Sequence, residues 1–270
     1  MNTITDRLRV AVLPLDIAPA DKEANLSAVE KALESLPAGV DIVVLPELFT
    51  TGYIADEGAL QSLAERNTQQ TVDRVRAWAA RYECAFCGSF LASTPPHLYN
   101  RAFFIEPNGD ETFYDKAHLF SVSDESRLLA PGTTPPAPVR FRGWNVAMIV
   151  CYDLRFPVWC RNRNLEYDIL LVPANWPQAR EYAWTHLLIA RAIENQAAVV
   201  GADRGGEDQY GVYEDMTRFL NALGRPIGGR VAADSPWFMA DFHKTDLYEY
   251  RRKFPVANDA DSFAVGPFGK

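Results

Sequence analysis

Cysteine and histidine are both scarce in this 270-residue chain, which contains four of each. The chain has no His-Glu-x-x-His, Gly-x-Ser-x-Gly, P-loop or dinucleotide-binding glycine pattern, and these motifs carry metal, serine or nucleotide chemistry. One pair, Cys84 and Cys87, has the spacing of half a zinc site or of a redox pair, but no second pair completes a four-ligand site. We therefore expect no metal and no cofactor, and we keep a metal or redox protein built on this pair as an alternative.

Long apolar runs, low-complexity tracts and an excess of positive charge are also missing. No apolar run approaches the roughly 18 residues of a membrane-spanning helix, and the start of the chain lacks the pattern of a signal peptide. The net charge is -8 and the pI is about 5.1, which argues against nucleic acid or an anionic membrane as a partner. These absences predict a soluble, cytoplasmic protein that binds neither.

The chain does contain a regular alternation of short apolar runs and amphipathic segments, which is typical of α/β layering. Because no linker-like segment divides it, we expect one domain over residues 1–270, with a core at about residues 8–258 and a C-terminal tail. Amphipathic spacing predicts helices near residues 26–36, 68–82 and 182–196, and a turn signal at residues 106–110 predicts a hairpin. The predicted strands are Arg9 to Leu15, Asp41 to Leu45, Ala85 to Ala92, Arg101 to Ile105, Val146 to Cys151, Asp168 to Val172 and Ala197 to Ala202.

Three polar side chains stand where predicted strands end. Glu47 follows the second predicted strand, Lys116 ends the predicted hairpin, and Cys151 ends the fifth predicted strand. Strand ends hold side chains on a rigid scaffold, and the free backbone N–H groups beyond them can bind a negative charge. A carboxylate, an ammonium and a thiol could together cleave an amide. Taken singly, each has a structural explanation: a capping or solvated carboxylate, a surface lysine and a small buried hydrophobe.

The segments around these three residues resemble the Glu, Lys and Cys motifs of the nitrilase, or carbon-nitrogen hydrolase, superfamily. The segments are Leu45-Pro46-Glu47-Leu48-Phe49, Tyr114-Asp115-Lys116-Ala117-His118-Leu119-Phe120 and Val150-Cys151-Tyr152-Asp153-Leu154-Arg155-Phe156-Pro157. They occur in the order found in that family, and the resemblance covers about residues 8–258. Ala174-Asn175-Trp176-Pro177 and residues 190–196 and 250–255 make the chain most similar to the omega-amidase branch.

The resemblance implies a fold, an assembly and an activity. The implied fold is a four-layer αββα sandwich of two mixed sheets with outer helices. Members of the family pair into dimers and larger assemblies, so we expect a homodimer or a higher homo-oligomer. The implied activity is cofactor-independent hydrolysis of a small-molecule amide, and the expected substrate is a short omega-amide of a 2-oxo acid such as 2-oxoglutaramate.

The resemblance also assigns roles to the catalytic residues. Glu47 takes the thiol proton, and Cys151 attacks the amide carbon to give a thioester. Lys116 and the backbone N–H of Tyr152 hold the oxyanion, and Glu47 then activates the water that completes the reaction. Glu125 matches a second glutamate of the family, near the lysine, that orients the substrate or the ammonium.

Arg155, four residues beyond Cys151, is the candidate for binding a substrate carboxylate, because a guanidinium offers paired donors that fit it. A structural ion pair with Asp153 or Glu194 is the alternative. An acidic protein needs such a local cation if its substrate is an anion.

Aromatic side chains are the candidates for the walls of the substrate site. Trp176 follows the predicted strand Asp168 to Val172 and could line the same opening as Cys151, with a core tryptophan as the alternative. Phe49 and Tyr53 are the candidates for the opposite wall.

The chain departs from the family pattern in one region. Where the family commonly has Gly-x-Ser, this chain has Asp215-Met216-Thr217, and the preceding residues 205–211 are also atypical. The substrate is therefore less certain than the reaction class. An N-carbamoyl amino acid hydrolase and a nitrilase remain as alternatives, as does a catalytically silent binding module of the same fold.

Overall fold

The computed structural model describes residues 5–214 and 216–264. Its strands are β1 (Arg7–Val12), β2 (Ile42–Val44), β3 (Ala85–Thr94), β4 (His97–Ile105), β5 (Glu111–Asp115), β6 (Val139–Phe141), β7 (Trp144–Met148), β8 (Ile169–Ala174), β9 (Ala198–Asp203), β10 (Gly206–Asp208), β11 (Gly211–Tyr213), β12 (Arg218–Leu220), β13 (Gly229–Arg230) and β14 (Phe238–His243). Its α-helices are α1 (Lys22–Leu33), α2 (Glu57–Leu63), α3 (Gln70–Tyr82), α4 (Glu125–Leu128), α5 (Pro157–Cys160), α6 (Glu181–Asn195) and α7 (Lys244–Lys253).

Most of these strands form two mixed sheets. Over the described residues, one sheet has seven strands in the order β13-β14-β1-β2-β3-β4-β5, and the other has five in the order β12-β9-β8-β7-β6. Parallel pairs occupy the centre of each sheet: β1, β2 and β3 in the first, and β7, β8 and β9 in the second. Antiparallel strands flank both centres. The carboxyl ends of the parallel strands are where this arrangement places ligand sites.

The side chains of alternate strand residues divide between two cores, as the period of two along a strand requires. Val10 and Val44 pack between the sheets together with the second sheet's Leu171, whereas Ala11 and Val43 pack outward against α1 and α3. On the other side, α6 covers the five-stranded sheet through a cluster of buried residues that includes Trp184, Leu188 and Ala192. The layers are therefore helix, sheet, sheet and helix.

The predicted strands and helices are present, and two details differ. The turn at residues 106–110 is confirmed, because the N–H of Glu106 bonds to the carbonyl of Asp110 between β4 and β5. The fifth predicted strand was expected to reach Cys151, but β7 ends at Met148 and Cys151 begins a short 3-10 helix. Residues 206–213 form a small separate hairpin, β10–β11, that the sequence did not predict.

No helix within residues 5–214 and 216–264 is long and apolar enough to cross a membrane. The same residues contain no group of three or more histidine, cysteine, aspartate or glutamate side chains arranged to hold a metal ion.

Candidate active site

The loop after β2 places Glu47 beyond the carboxyl end of a central strand of the first sheet. The N–H of Leu45 still bonds to the carbonyl of Cys87 on β3 at 2.7 Å, so the chain follows the sheet almost to the glutamate. The N–H of Leu48, the residue after Glu47, donates to the Ser89 hydroxyl at 2.8 Å. Glu47 is held on both sides by the neighbouring strand, and its carboxylate is buried.

Lys116 is fixed by the strand next to its own. It directly follows β5, and its backbone N–H donates to the carbonyl of Asn100 on β4 at 2.9 Å. Its carbonyl accepts from Gly132 at 2.9 Å. A side chain at Gly132 would place its Cβ 2.0 Å from the carbonyl oxygen of Asp115, so this close approach of two backbones requires glycine.

Cys151 occupies a strained turn. Its φ is 44°, a left-handed conformation that costs a non-glycine residue roughly 1 to 3 kcal/mol and is found mainly at functional sites. Asp153 holds the turn, because its carboxylate accepts from the N–H of Val150 at 3.1 Å and its N–H donates to the carbonyl of Val150 at 2.9 Å. The same carboxylate accepts from the backbone N–H of His118 at 2.9 Å. Asp153 thereby joins the cysteine turn to the segment that carries Lys116.

The three predicted catalytic side chains meet in one buried cluster together with Glu125. The Lys116 Nζ donates to the Glu47 Oε1 at 2.8 Å and to both Glu125 carboxylate oxygens at 2.9 Å. The other Glu47 oxygen, Oε2, accepts from the backbone N–H of Asn175 at 2.9 Å. The Cys151 Sγ lies 3.9 Å from the carbonyl oxygen of Asn175. The Asn175 backbone therefore touches both the carboxylate and the thiol.

Asn100 is a member of this cluster that the sequence motifs did not identify. Its amide Nδ2 donates to Glu47 Oε1 at 2.8 Å and to Glu125 Oε1 at 3.2 Å. It is fully buried on β4. The sequence offered one indication of its role: a single amide side chain in the middle of a strand, where polar side chains are uncommon. The closeness of β4 to the predicted hairpin would have strengthened that indication.

Burial and neighbouring charges set the protonation states of the thiol and the amine. Burial raises the pKa of the Cys151 thiol well above its usual value, and the Glu47 carboxylate raises it further, more than Lys116 lowers it. Burial opposes the charge on Lys116, but Glu125 and Glu47 outweigh it and raise the pKa of the amine. At neutral pH the site therefore holds a neutral thiol beside a permanent ammonium, so attack requires a base.

The cluster lies in a cavity of about 340 Å³, at the small end of the roughly 300 to 1,000 Å³ that ligand sites occupy. Tyr53, Tyr152, Arg155 and Trp176 line it, as the sequence analysis expected. The Arg155 guanidinium lies 4.6 Å from the centroid of the Trp176 ring and 6.0 Å from that of Tyr152. Other lining side chains were not expected: Leu48, Phe120, Arg180, Tyr210 and Tyr213.

Phe49 was wrongly predicted to form a wall of this cavity. It is fully buried in the outer core of the first sheet, with its ring centroid 6.5 Å from Trp78 and 6.0 Å from Phe103. The reason lies one residue earlier, where Leu48 takes a positive φ of 46° and its carbonyl accepts from Thr51 and Gly52. This turn places Leu48 in the cavity and directs Phe49 behind it.

The carboxylates considered as structural partners of Arg155 bind other groups. Asp153 accepts from the Val150 and His118 backbones, as described above, and Glu194 pairs with Arg191 at 2.7 Å. Within the described residues, no ion pair joins Arg155 to a carboxylate, and its cationic contacts are to aromatic rings. Arg155 thus lines the cavity beside Trp176 and Tyr152.

The chain is similar to known hydrolases over nearly its whole length. The model of the carbon-nitrogen hydrolase family matches residues 9–245. The chain belongs to this family. The omega-amidase YafV of Escherichia coli (strain K12) is 40% identical to it over 259 residues, which are 96% of this chain and 98% of that protein. The 2-oxoglutaramate amidase of Bacillus subtilis (strain 168) is 29% identical, and the match covers 93% of this chain and 96% of that protein.

Solved structures of carbon-nitrogen hydrolases have the same fold. A CN-hydrolase superfamily protein of Xanthomonas campestris, which carries an arsenic adduct in its active site, aligns with a TM-score of 0.88 at 35% identity, covering 97% of this chain and all of that one. Nit3 of Saccharomyces cerevisiae, a member of the nitrilase superfamily, aligns with a TM-score of 0.81 at 20% identity, covering 94% and 96% of the two chains. The predicted fold, family and amidase type of hydrolase are confirmed.

The other cysteines of this carbon-nitrogen hydrolase lie in its core. Cys84, Cys87 and Cys160 are buried free thiols, and burial raises the pKa of both Cys84 and Cys160 to about 12. His118, the histidine nearest to the cysteine, contacts Asp153 through Nδ1 at 2.8 Å and stacks on Phe156. None of these four residues lines the cavity.

Iodoacetamide is expected to alkylate Cys151 before the other three cysteines, because among the described cysteines it alone lines the cavity. Alkylation requires the thiolate, and the raised pKa of Cys151 keeps the thiolate scarce at pH 7. The rate should therefore increase steadily as the pH rises toward 9 and beyond. Peptide mass spectrometry at timed intervals measures both the site and the rate. A rate that is already constant below pH 7 would contradict a neutral resting thiol.

Proposed function

We propose that this carbon-nitrogen hydrolase is an omega-amidase that hydrolyses the terminal amide of a short 2-oxo acid, with 2-oxoglutaramate and 2-oxosuccinamate as its expected substrates. The observation that carries the proposal is the presence of the Glu47, Lys116 and Cys151 cluster in a small cavity together with Arg155. The cluster can cleave an amide, and the arginine can bind a carboxylate. The named activities of the YafV and Bacillus relatives support the same substrate class.

In the first half of the proposed reaction, Glu47 accepts the proton of the Cys151 thiol as the sulfur attacks the amide carbon. The carbonyl oxygen becomes an oxyanion beside the Lys116 ammonium and the backbone N–H of Tyr152. Tyr152 is the second residue of the 3-10 helix that Cys151 begins, where helical hydrogen bonding leaves the N–H free. The carbon-nitrogen bond then breaks, Glu47 returns its proton to the leaving nitrogen, and ammonia and a thioester result.

In the second half, the same glutamate activates water instead of the thiol. Glu47 removes a proton from a water molecule that attacks the thioester carbon, and Lys116 again faces the oxyanion. The carbon-sulfur bond breaks, the proton passes to the sulfur, and the acid and the free thiol are restored. Glu125 accepts two bonds from Lys116, so its role is to hold the ammonium in place.

The proposal is tested by measuring ammonia release from four kinds of compound. These are omega-amides of 2-oxo acids, neutral short amides, N-carbamoyl amino acids and nitriles. We expect the highest kcat/KM for the 2-oxo acid amides. A higher value for carbamoyl amino acids or nitriles would favour one of those alternatives, and no turnover of any compound would favour the silent binding module.

Replacing Arg155 by alanine is expected to lower kcat/KM for charged substrates more than for neutral ones. Loss of one partner of a charge pair costs about 2 to 5 kcal/mol when the pair is buried. Arg155 is half-buried, so we expect a loss near the lower limit, roughly 30-fold in kcat/KM. The loss should therefore be large for 2-oxoglutaramate and small for a neutral amide such as butyramide. Both substrates are assayed on both proteins, with circular dichroism to check the fold.

Arg180→Ala is the matched comparison, because Arg180 also lines the cavity but is exposed at its rim. We expect it to lose less activity toward 2-oxoglutaramate than Arg155→Ala. An equal loss on charged and neutral amides in Arg155→Ala would assign Arg155 a structural role.

A further inference from the structure

One part of the cavity wall comes from the hairpin β10–β11, which belongs to neither main sheet. In the described part of the chain, these two strands pair with each other and with no other strand. The hairpin contributes Tyr210 and Tyr213 to the lining of the cavity. It lies in the region where the sequence departs from the family pattern, just before Asp215, which is outside the described residues. The hairpin therefore forms part of the cavity wall without belonging to the catalytic cluster.

A buried arginine fixes the hairpin to the body of the protein. Arg204 follows β9 and is fully buried. Its Nη1 donates to the Asp208 Oδ2 at 2.7 Å, its Nη2 donates to the carbonyl of Ile17 at 3.0 Å, and its guanidinium lies 4.5 Å from the centroid of the Tyr213 ring. A buried ion pair with several hydrogen bonds holds one arrangement strongly, since breaking it leaves an unpaired charge.

Asp208 also forms hydrogen bonds with the two tyrosines of the hairpin. Its Oδ1 accepts from the backbone N–H of Tyr210 at 2.8 Å and from the hydroxyl of Tyr213 at 3.1 Å. Asp208 does not line the cavity itself. The position of the Tyr210 backbone therefore depends on a carboxylate that lies outside the lining of the cavity.

Tyr210 meets the opposite side of the cavity. Its ring contacts the Tyr53 ring edge-on, with centroids 4.8 Å apart, and both rings line the cavity. Tyr53 belongs to the loop after β2 that also carries Glu47. Because the two rings are in van der Waals contact, no alkyl chain fits between them, and the pair forms one wall of the cavity, with Tyr210 39% exposed to solvent.

We propose that Tyr210 sets the upper limit on the length of the acyl chain that this enzyme accepts, an inference that rests on the proposed amidase reaction. A chain that extends from Cys151 toward the ring pair must end before it. We expect amides of four and five carbons to end before the ring and longer ones to meet it. Each methylene that a pocket accepts or rejects changes kcat/KM by about 10- to 200-fold, so one ring is sufficient to set a sharp limit.

The experiment compares the omega-monoamides of straight-chain dicarboxylic acids with four to eight carbons. In the unmodified enzyme, kcat/KM should fall steeply beyond five carbons. In Tyr210→Ala, the ratio of kcat/KM for the eight-carbon amide to that for the five-carbon amide should rise at least about tenfold. Tyr210→Phe keeps the ring and should retain the original profile. Glu207→Ala changes an exposed residue of the same hairpin and is the matched control.

Asp208→Asn provides a second test that leaves the lining intact. It weakens the ion pair with Arg204, so the hairpin should loosen and the length limit should move in the same direction as in Tyr210→Ala. An unchanged length profile in a folded Tyr210→Ala variant would overturn the proposal, whatever the result for Asp208→Asn.

A parallel series of straight-chain aliphatic amides separates this inference from the proposed substrate. If no 2-oxo acid amide is hydrolysed, the proposed function fails. The length limit can still be measured from butyramide to octanamide, and the same shift in Tyr210→Ala would support it. An identical aliphatic profile in both proteins would overturn it.

Discussion

Replacing Cys151 by alanine should abolish ammonia release while leaving the protein folded. Removal of the nucleophile from a hydrolytic triad costs roughly a millionfold in kcat, and the described part of the cavity lining contains no second thiol to replace it. Alanine has a Cβ and meets the same positive φ as cysteine, so the turn is no more strained than before. The assay is ammonia release under saturating substrate, with thermal unfolding to compare stability.

The control for this variant is Cys160→Ala, which removes a buried thiol from the core behind the site. It should lose some stability but keep its turnover. A thioester adduct on the peptide that contains Cys151, trapped by rapid acid quench and detected by mass spectrometry, should form in Cys160→Ala and not in Cys151→Ala. Full activity of Cys151→Ala would show that another group is the nucleophile.

The fold could be predicted to a large extent because its strands are short, apolar and separated by amphipathic helices. The burial of Val10 and Val44 on one face of a sheet and Val43 on the other follows directly from the alternation along each strand. The order of strands within each sheet was not available from the pattern, since β14 pairs with β1 from the far end of the chain. The family resemblance implied two mixed sheets with outer helices, and the order of their strands comes from the structure.

The site could be predicted where a residue with a reactive or charged side chain directly follows a clearly apolar strand. Glu47, Lys116 and Cys151 meet that condition. Asn100 does not, because it lies within a strand and its importance depends on which strands are neighbours. Phe49 was misplaced because a single positive φ at Leu48 reverses the side on which the next residue points, and no periodic pattern reports such a turn.

The hairpin β10–β11 escaped prediction for a related reason. Its strands are three residues each, too short for a period of two to be recognised. The contact between Tyr210 and Tyr53 joins two loops that are distant in sequence. The expected homodimer or larger homo-oligomer and the cytoplasmic location remain predictions.

Glu47→Gln should reduce kcat by at least about a thousandfold, because the proposed reaction uses this carboxylate to move a proton in both halves and each general acid–base transfer contributes roughly 100- to 10,000-fold. Glutamine keeps the size of the side chain but cannot accept a proton from the thiol. Its amide also replaces one acceptor oxygen by a donor. Lys116, Asn100 and the Asn175 N–H all donate to the carboxylate, so the new donor would face other donors. Formation of the thioester should therefore fail as well as its hydrolysis.

Glu125→Gln is the matched comparison, because Glu125 is equally buried and also binds Lys116 and Asn100. Its other contact is the backbone N–H of Phe120 at 2.7 Å, so its carboxylate is occupied by donors that fix its position. If Glu125→Gln lets Lys116 move by about 1 Å, kcat should fall on the order of a hundredfold. The thioester should still form. Rapid-quench mass spectrometry on both variants distinguishes the two roles: the thioester is expected in Glu125→Gln and absent from Glu47→Gln. If Glu47→Gln forms the thioester at the original rate, then the proton of Cys151 goes to another acceptor, and Glu125 is the nearest carboxylate on the same ammonium.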